Sequence, residues 1–225
     1  MSLNFGLLSP DKEKATANYD FIDIARNVAI TVFYPGQSYD ETTKQYSLSN
    51  LIFQSGRNSA YAETTAGSNE KIIDITFEAL IGAPFQIQGT VILNVPMNID
   101  STEGSSDYTM KGFISGAVLI SGATLTTAGT FKSQTQTAAS ETNNETMMAV
   151  RFHTNTQKIK AGEYIQLKLE GWGETSVAGG GRTGKMWLGY DPSNSGVNGE
   201  ETDPQFAFTT AGSQSKLLLP IKIDL

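Results

Sequence analysis

His153 is the only histidine in the chain, so any Ser-His-Asp relay must run through it. It stands in Arg151-Phe-His-Thr154 and no serine sits in a nucleophile-elbow motif, so the segment reads as the wet face of a strand. A single imidazole also falls short of the several that zinc enzymes use. With no cysteine in the sequence, thiolate nucleophiles, sulfur-ligated metals and disulfides are all excluded. Hard oxygen ligands crowd the stretch Asp191-Pro-Ser-Asn-Ser-Gly-Val-Asn-Gly-Glu-Glu-Thr-Asp203, which makes it the best candidate for a calcium loop. It departs from the calcium-loop template: Gly196 takes the sixth place, but Ser193 and Ser195 take the third and fifth, and Thr202 stands where a bidentate glutamate belongs. A solvated loop turning at Asn198-Gly199 is the competing reading.

Glycoside cleavage needs two carboxyl groups about 5 to 9 Å apart, and Glu170, Glu174 and Asp191 are the acids close in sequence to aromatic residues. Trp172, Trp187 and Tyr190 form the one aromatic set that could stack on a sugar ring or line an interface; buried core aromatics are the plainer alternative. The run Gly179-Gly-Gly181 with Arg182 leads into a strand pattern, whereas a phosphate cradle must open a helix. Asn144-Glu-Thr146 is a formal glycosylation sequon. No catalytic residue, cofactor site or metal ligand is assigned on these grounds, and the chain is expected not to be an enzyme.

The elements that would position such groups are strands. Glu163-Tyr-Ile-Gln-Leu-Lys-Leu-Glu170 alternates Ile165, Leu167 and Leu169 with Gln166, Lys168 and Glu170, the period of a strand buried on one face. Together with Gly184-Lys-Met-Trp-Leu-Gly-Tyr190 it is expected to form a hairpin across the glycine-rich connection. Similar alternation occurs at Val28, Ile30 and Val32, at Ile73, Ile75, Phe77 and Ala79, at Phe85 to Val95, and at Met148, Val150 and Phe152. Gly89 breaks its strand and predicts a bulge or a close backbone approach. Phe113 to Ile120 carries apolar residues on both parities, the mark of a strand covered on both faces. Residues 54–69 and 133–146 read as polar loops. Leu217, Leu219, Ile221, Ile223 and Leu225 hold one parity, which predicts a final strand, with Pro220 favouring a sheet edge because it has no donor. No helical periodicity and no internal repeat occurs, so the expected fold is all-β, an antiparallel β-sandwich of jelly-roll type, with a barrel as runner-up. Residues 1–20 are expected to be an arm or loose turn, with Ser9-Pro10-Asp11 as the one plausible helix start, and 21–225 a single β-sandwich domain.

At 225 residues the chain can form one large β domain. Charged residues make up only 17% and the net charge is -7, so solubility rests on neutral polar groups. The 16 basic residues are scattered, which argues against nucleic-acid binding. No apolar run approaches a membrane span and the first residues lack a signal-peptide pattern, so neither membrane nor secretion is expected.

Several stretches taken together resemble a known group: Tyr19-Asp-Phe-Ile-Asp-Ile-Ala25 with Val32-Phe-Tyr34, Leu167-Lys-Leu-Glu-Gly-Trp172 with Gly189-Tyr-Asp-Pro192, and Leu219-Pro-Ile-Lys-Ile-Asp-Leu225. They are similar to small β-sandwich virion structural proteins of tailed viruses of microbes, including bacteriophages. The resemblance implies a virion location and a role as a capsid decoration, cement or minor capsid subunit. It also implies homo-oligomers, contact with other virion proteins and no cofactor; it assigns no functional residues. The alternative is a carbohydrate-binding or receptor-binding module that takes a glycan on the aromatics named above.

Overall fold

A computed structural model describes residues 28–37, 45–53, 55, 59–101, 108–139, 142–176, 183–193, 208 and 214–222. The expected N-terminal arm and helix start, the Gly179 to Gly181 run, residues 194–203 of the candidate calcium loop and residues 223–225 lie outside that set. All regular structure among the described residues is strand, so the protein is all-β. In chain order the strands are β1 (Val28–Gln37), β2 (Tyr46–Ser49), β3 (Ser59–Thr64), β4 (Glu70–Leu80), β5 (Phe85–Asp100), β6 (Met110–Ser121), β7 (Leu125–Lys132), β8 (Gln136–Ala138), β9 (Asn143–Ile159), β10 (Tyr164–Thr175), β11 (Gly184–Gly189) and β12 (Lys216–Lys222).

Hydrogen bonds join them in the order β3-β11-β5-β12-β1-β2-β4-β10-β6-β7, with β9 on the other edge of β5 and β8 on β6. Pairing is antiparallel apart from one parallel rung, Ser47 to Glu78, between β2 and β4. β1 carries the path between two layers: Val28 to Phe33 pair with β12, and Tyr34 to Gln37 pair with β2. The first layer thus holds β9, β5, β12, β11 and β3, the second β2, β4, β10, β6, β7 and β8. They face each other across one apolar core. Phe131 of β7 meets Phe152 of β9 with ring centres 5.2 Å apart, and Phe77 of β4 meets Tyr190 at 5.6 Å. The ladder describes one folded-over sheet.

Period-two patterning explains the core. Ile165, Leu167 and Leu169 are buried on β10 while Gln166, Lys168 and Glu170 face outward, and Val91, Leu93 and Val95 do the same on β5. Each such large apolar side chain contributes about 1.5 to 3 kcal/mol by leaving water. Glycines let the layers and strands come close. A Cβ on Gly112 of β6 would run into the Met186 methyl from the facing layer, and one on Gly116 would collide with the backbone carbonyl of Lys168 on β10.

Four expectations are corrected. β10 and β11 are not a hairpin: β10 pairs with β4 and β6, and β11 with β3 and β5. Both edges of β10 are occupied, so the chain crosses to the other layer. Within the expected 54–69 loop, Ser59 to Thr64 form β3 against β11, and within 133–146, Gln136 to Ala138 and Asn143 onward form β8 and the start of β9; in both cases a neighbouring strand supplies the ladder that polar sequence does not announce. Pro220 is not at an edge, since β12 lies between β1 and β5. The β12–β5 register breaks between Leu218 and Ile221, opposite the Gly89 irregularity of β5, where φ is +126°. The missing donor therefore falls where the ladder is already interrupted.

Candidate functional site

The most elaborated polar surface is the outward face of the second layer, where β4, β10 and β6 lie side by side. Trp172 of β10 is the direct cross-strand partner of Phe113 on β6, and their rings stack with centres 5.9 Å apart and planes 4° from parallel. Such a pair contributes about 0.5 to 1.5 kcal/mol beyond the area it buries. The Lys132 ammonium lies 4.1 Å from the centre of the Phe113 ring, a cation–π contact. The Trp172 indole N–H donates to Ser115 Oγ at 2.8 Å and to Glu170 Oε2 at 3.4 Å, and Ser115 Oγ donates to Glu170 Oε2 at 2.9 Å.

Glu170 also joins an ion-pair net. Lys168 Nζ lies 2.8 Å and Lys71 Nζ 3.5 Å from Glu170 Oε1; Lys168 is 3.7 Å from Asp74, and Lys71 pairs closely with Asp74. The Lys168 hydrogen bond, aided by that of Ser115 and opposed by partial burial, lowers the Glu170 carboxyl from 4.5 to about 2. Hydrogen bonding to Asp74, followed by weaker attraction from Asp74 and Glu170, raises the exposed Lys71 ammonium. A carboxylate so held stays ionised at neutral pH, which suits an acceptor or anchor and not a proton donor.

The sequence-derived candidates are scattered. Trp172 is half-buried in this cluster. Trp187 lies in the first layer, 6% exposed, with its ring 4.9 Å from that of Tyr61 on β3. Tyr190 is a core residue at 1% exposure, its rings packed edge-on to Tyr46 and Phe77 and its hydroxyl donating to Gln37 Oε1 at 3.0 Å. No shared aromatic platform forms. Glu170 and Glu174 lie on one face of β10 four residues apart, about 13 Å at strand rise, too far for a carboxylate pair, and Glu174 pairs with Lys111 at 3.1 Å. Asp191 is buried and accepts from the backbone N–H and hydroxyl of Ser193 at 3.0 and 2.8 Å. His153 faces solvent on β9, across from Thr90. Asn144 lies in β9 and its amide donates to the Thr137 carbonyl at 3.0 Å. No three His, Cys, Asp or Glu side chains among the described residues converge to hold a metal.

Sequence reasoning passed over Phe113, Ser115, Lys132 and Lys71. The usable signal was Phe113 itself, an aromatic on the outward parity of β6.

No protein-family model matches the sequence, and no curated protein does. Among solved structures the chain is similar to a CocE/NonD family hydrolase from Staphylococcus aureus, with 12% identity over 87% of this chain and 37% of that one, at a TM-score of 0.44. This chain thus spans well under half of that hydrolase's length. It is also similar to an Eiger TNF from S. frugiperda, with 10% identity over 67% of this chain and 100% of that one, TM-score 0.23. Infectious bursal disease virus Gx strain gives 10% identity over 87% and 57%, TM-score 0.25. At these scores none of the three sets the family or the chemistry of this chain.

Proposed function

We propose that the protein is a structural virion component, a capsid decoration or minor capsid subunit that works by self-association and docking on a shell. The observation that carries this reading is a set of large apolar side chains left exposed on the outer faces of the folded sheet. On the first layer Ile30 is 62% exposed. On the second, Leu125 and Tyr164, both aligned with Ser121 of β6, are 61% and 41% exposed. Burying such side chains against another polypeptide is what a subunit contact would do. The resemblance of its short motifs to those of virion proteins suggests the viral context, and we read the folded-over sheet as a jelly-roll variant on the same basis. Stoichiometric co-purification with virus particles, and a multiple of the chain mass in native mass spectrometry, are the expected results; a strictly monomeric protein absent from particles would overturn the proposal.

A second reading, glycan binding, is favoured by the half-buried Trp172 with Glu170 and Ser115 beside it. Glycan-array binding abolished by Trp172→Ala would select that reading over the first.

A further inference from the structure

At one level of the first layer both ladders of β5 are interrupted. β5 pairs with β12 from Ile92 to Asn94 and again at Gln86 and Ile87, but Gln88 to Val91 on β5 and Leu219 and Pro220 on β12 have no rung between them. On the other edge Ile87 pairs with Gln157 and Gly89 with Thr154, so Gln88 is passed over, and Asn155 and Thr156 stand opposite nothing on β5. Gln88 therefore has no ladder partner on either edge among the described residues, and Gln88, Asn155 and Thr156 are all exposed. Gly89 follows with φ +126°, and its carbonyl accepts from the buried Thr154 hydroxyl at 3.0 Å, a side-chain bond at the edge of the broken ladder. Pro220 carries β12 through the same level with no N–H to give to either neighbour. Among the described strands of this layer, the β1–β12 register alone runs through unbroken.

Beyond that level the end of the layer is bonded within itself. Phe85, Gln86 and Ile87 pair with Ile159, Lys158 and Gln157, and Gln86 and Ile87 also pair with Lys222 and Ile221. The two connections that cross between the layers here, residues 81–84 from β4 to β5 and 160–163 from β9 to β10, are tied to each other. The Ile81 N–H donates to the Glu163 carbonyl at 2.9 Å and the Gly162 N–H to the Ile81 carbonyl at 2.8 Å. The Lys160 N–H donates to the Glu163 carboxylate at 2.8 Å. Ile81, Ile87, Ile159 and Ile221 are the buried apolar side chains of this end. Residues bonded to one another and cut off from the neighbouring ladder have the makeup of a cooperative opening unit, because opening breaks their own packing and few bonds outside it.

We infer that residues 81–87, 157–163 and 221–222 form a joint that opens as one unit about Gln88 while the rest of the first layer stays closed. Both connections at this end lie within it, so its opening loosens one layer from the other at that end alone. Native-state hydrogen exchange on the full-length protein, read from overlapping peptides, tests this. Amides of residues 85–87 and 157–159 should exchange at least about tenfold faster than those of 93–95 and 148–152, with one common urea dependence. Val150→Ala lies outside the joint and weakens the closed and the locally opened forms alike. It should speed exchange at 93–95 by about tenfold and leave 85–87 and 157–159 unchanged; Phe152→Leu serves the same comparison if Val150→Ala does not fold. Ile159→Val lies inside the joint and should speed both sets by about fivefold. Equal protection on the two sides of Gln88, or an effect of the outside substitution that reaches 85–87 and 157–159 in equal measure, would overturn the inference and make the layer a single cooperative unit.

Discussion

Glu170 gathers more polar partners than any neighbour on its face, and its ionisation should be visible in stability. Its folded carboxyl titrates near 2 against 4.5 unperturbed, so the ionised form is favoured by folding. The contribution is fully present above about pH 4.5 and is lost as pH falls toward 2. Glu170→Gln should therefore lower stability by about 1 to 2 kcal/mol at pH 7, with the gap to the parent closing between pH 4.5 and 2 in urea unfolding; a gap independent of pH would show that the lysines do not hold this group. Thr31 poses the opposite case. It is 5% exposed, and its hydroxyl oxygen is among the buried side-chain atoms that find no hydrogen-bond partner among the described residues. Thr31→Val keeps the shape and removes the unsatisfied group, so it should stabilise by about 1 kcal/mol, raising the melting temperature by about 2 to 4 °C.

Strands were legible wherever burial is one-sided, as on β10 and β5, because the pleat turns a face into a period. Their partners were not legible. Nothing in Gly184 to Tyr190 tells β11 to join β5 and β3, and nothing in Ser59-Ala-Tyr-Ala-Glu-Thr64 announces a strand, since its side chains are small or polar and its pairing is supplied from outside. The same limit hid the site. Trp172 was identifiable as a candidate, but its stacking on Phe113 depends on the β10–β6 register, a relation between segments 59 residues apart in the chain. Gly89 was read correctly as an irregularity, yet its tie to Pro220 requires knowing that β12 lies beside β5. Close strand approach yields a prediction. The Cβ added by Gly116→Ala would meet the Lys168 carbonyl and, at 2.7 Å, the Phe131 ring. Backbone cannot rotate aside, so a loss of about 3 kcal/mol or more is expected in thermal unfolding. Gly162→Ala, whose new methyl meets nothing within 4 Å, should cost less, limited to strain at φ +87° of about 1 kcal/mol.

For the complete protein, the two outer faces make separable demands. Ile30→Lys places a cation on the outer face of the first layer without disturbing the core, so melting should stay within about 0.5 kcal/mol of the parent, while native mass spectrometry should show the proposed self-association lost. Trp172→Ala should leave the proposed self-association unchanged. The reverse pattern would move the association surface to the second layer and overturn the assignment of the first.

Val28 and Lys222 are direct partners on adjacent antiparallel strands, so β1 begins and β12 ends at one corner of the protein. Tension applied at Val28 and Lys222 would unzip the β1–β12 ladder rung by rung, a low-force mode of rupture. A force that entered at one of these strand ends and left at the far end of the partner strand would instead put many rungs under shear at once, and the protein would resist far harder along that direction.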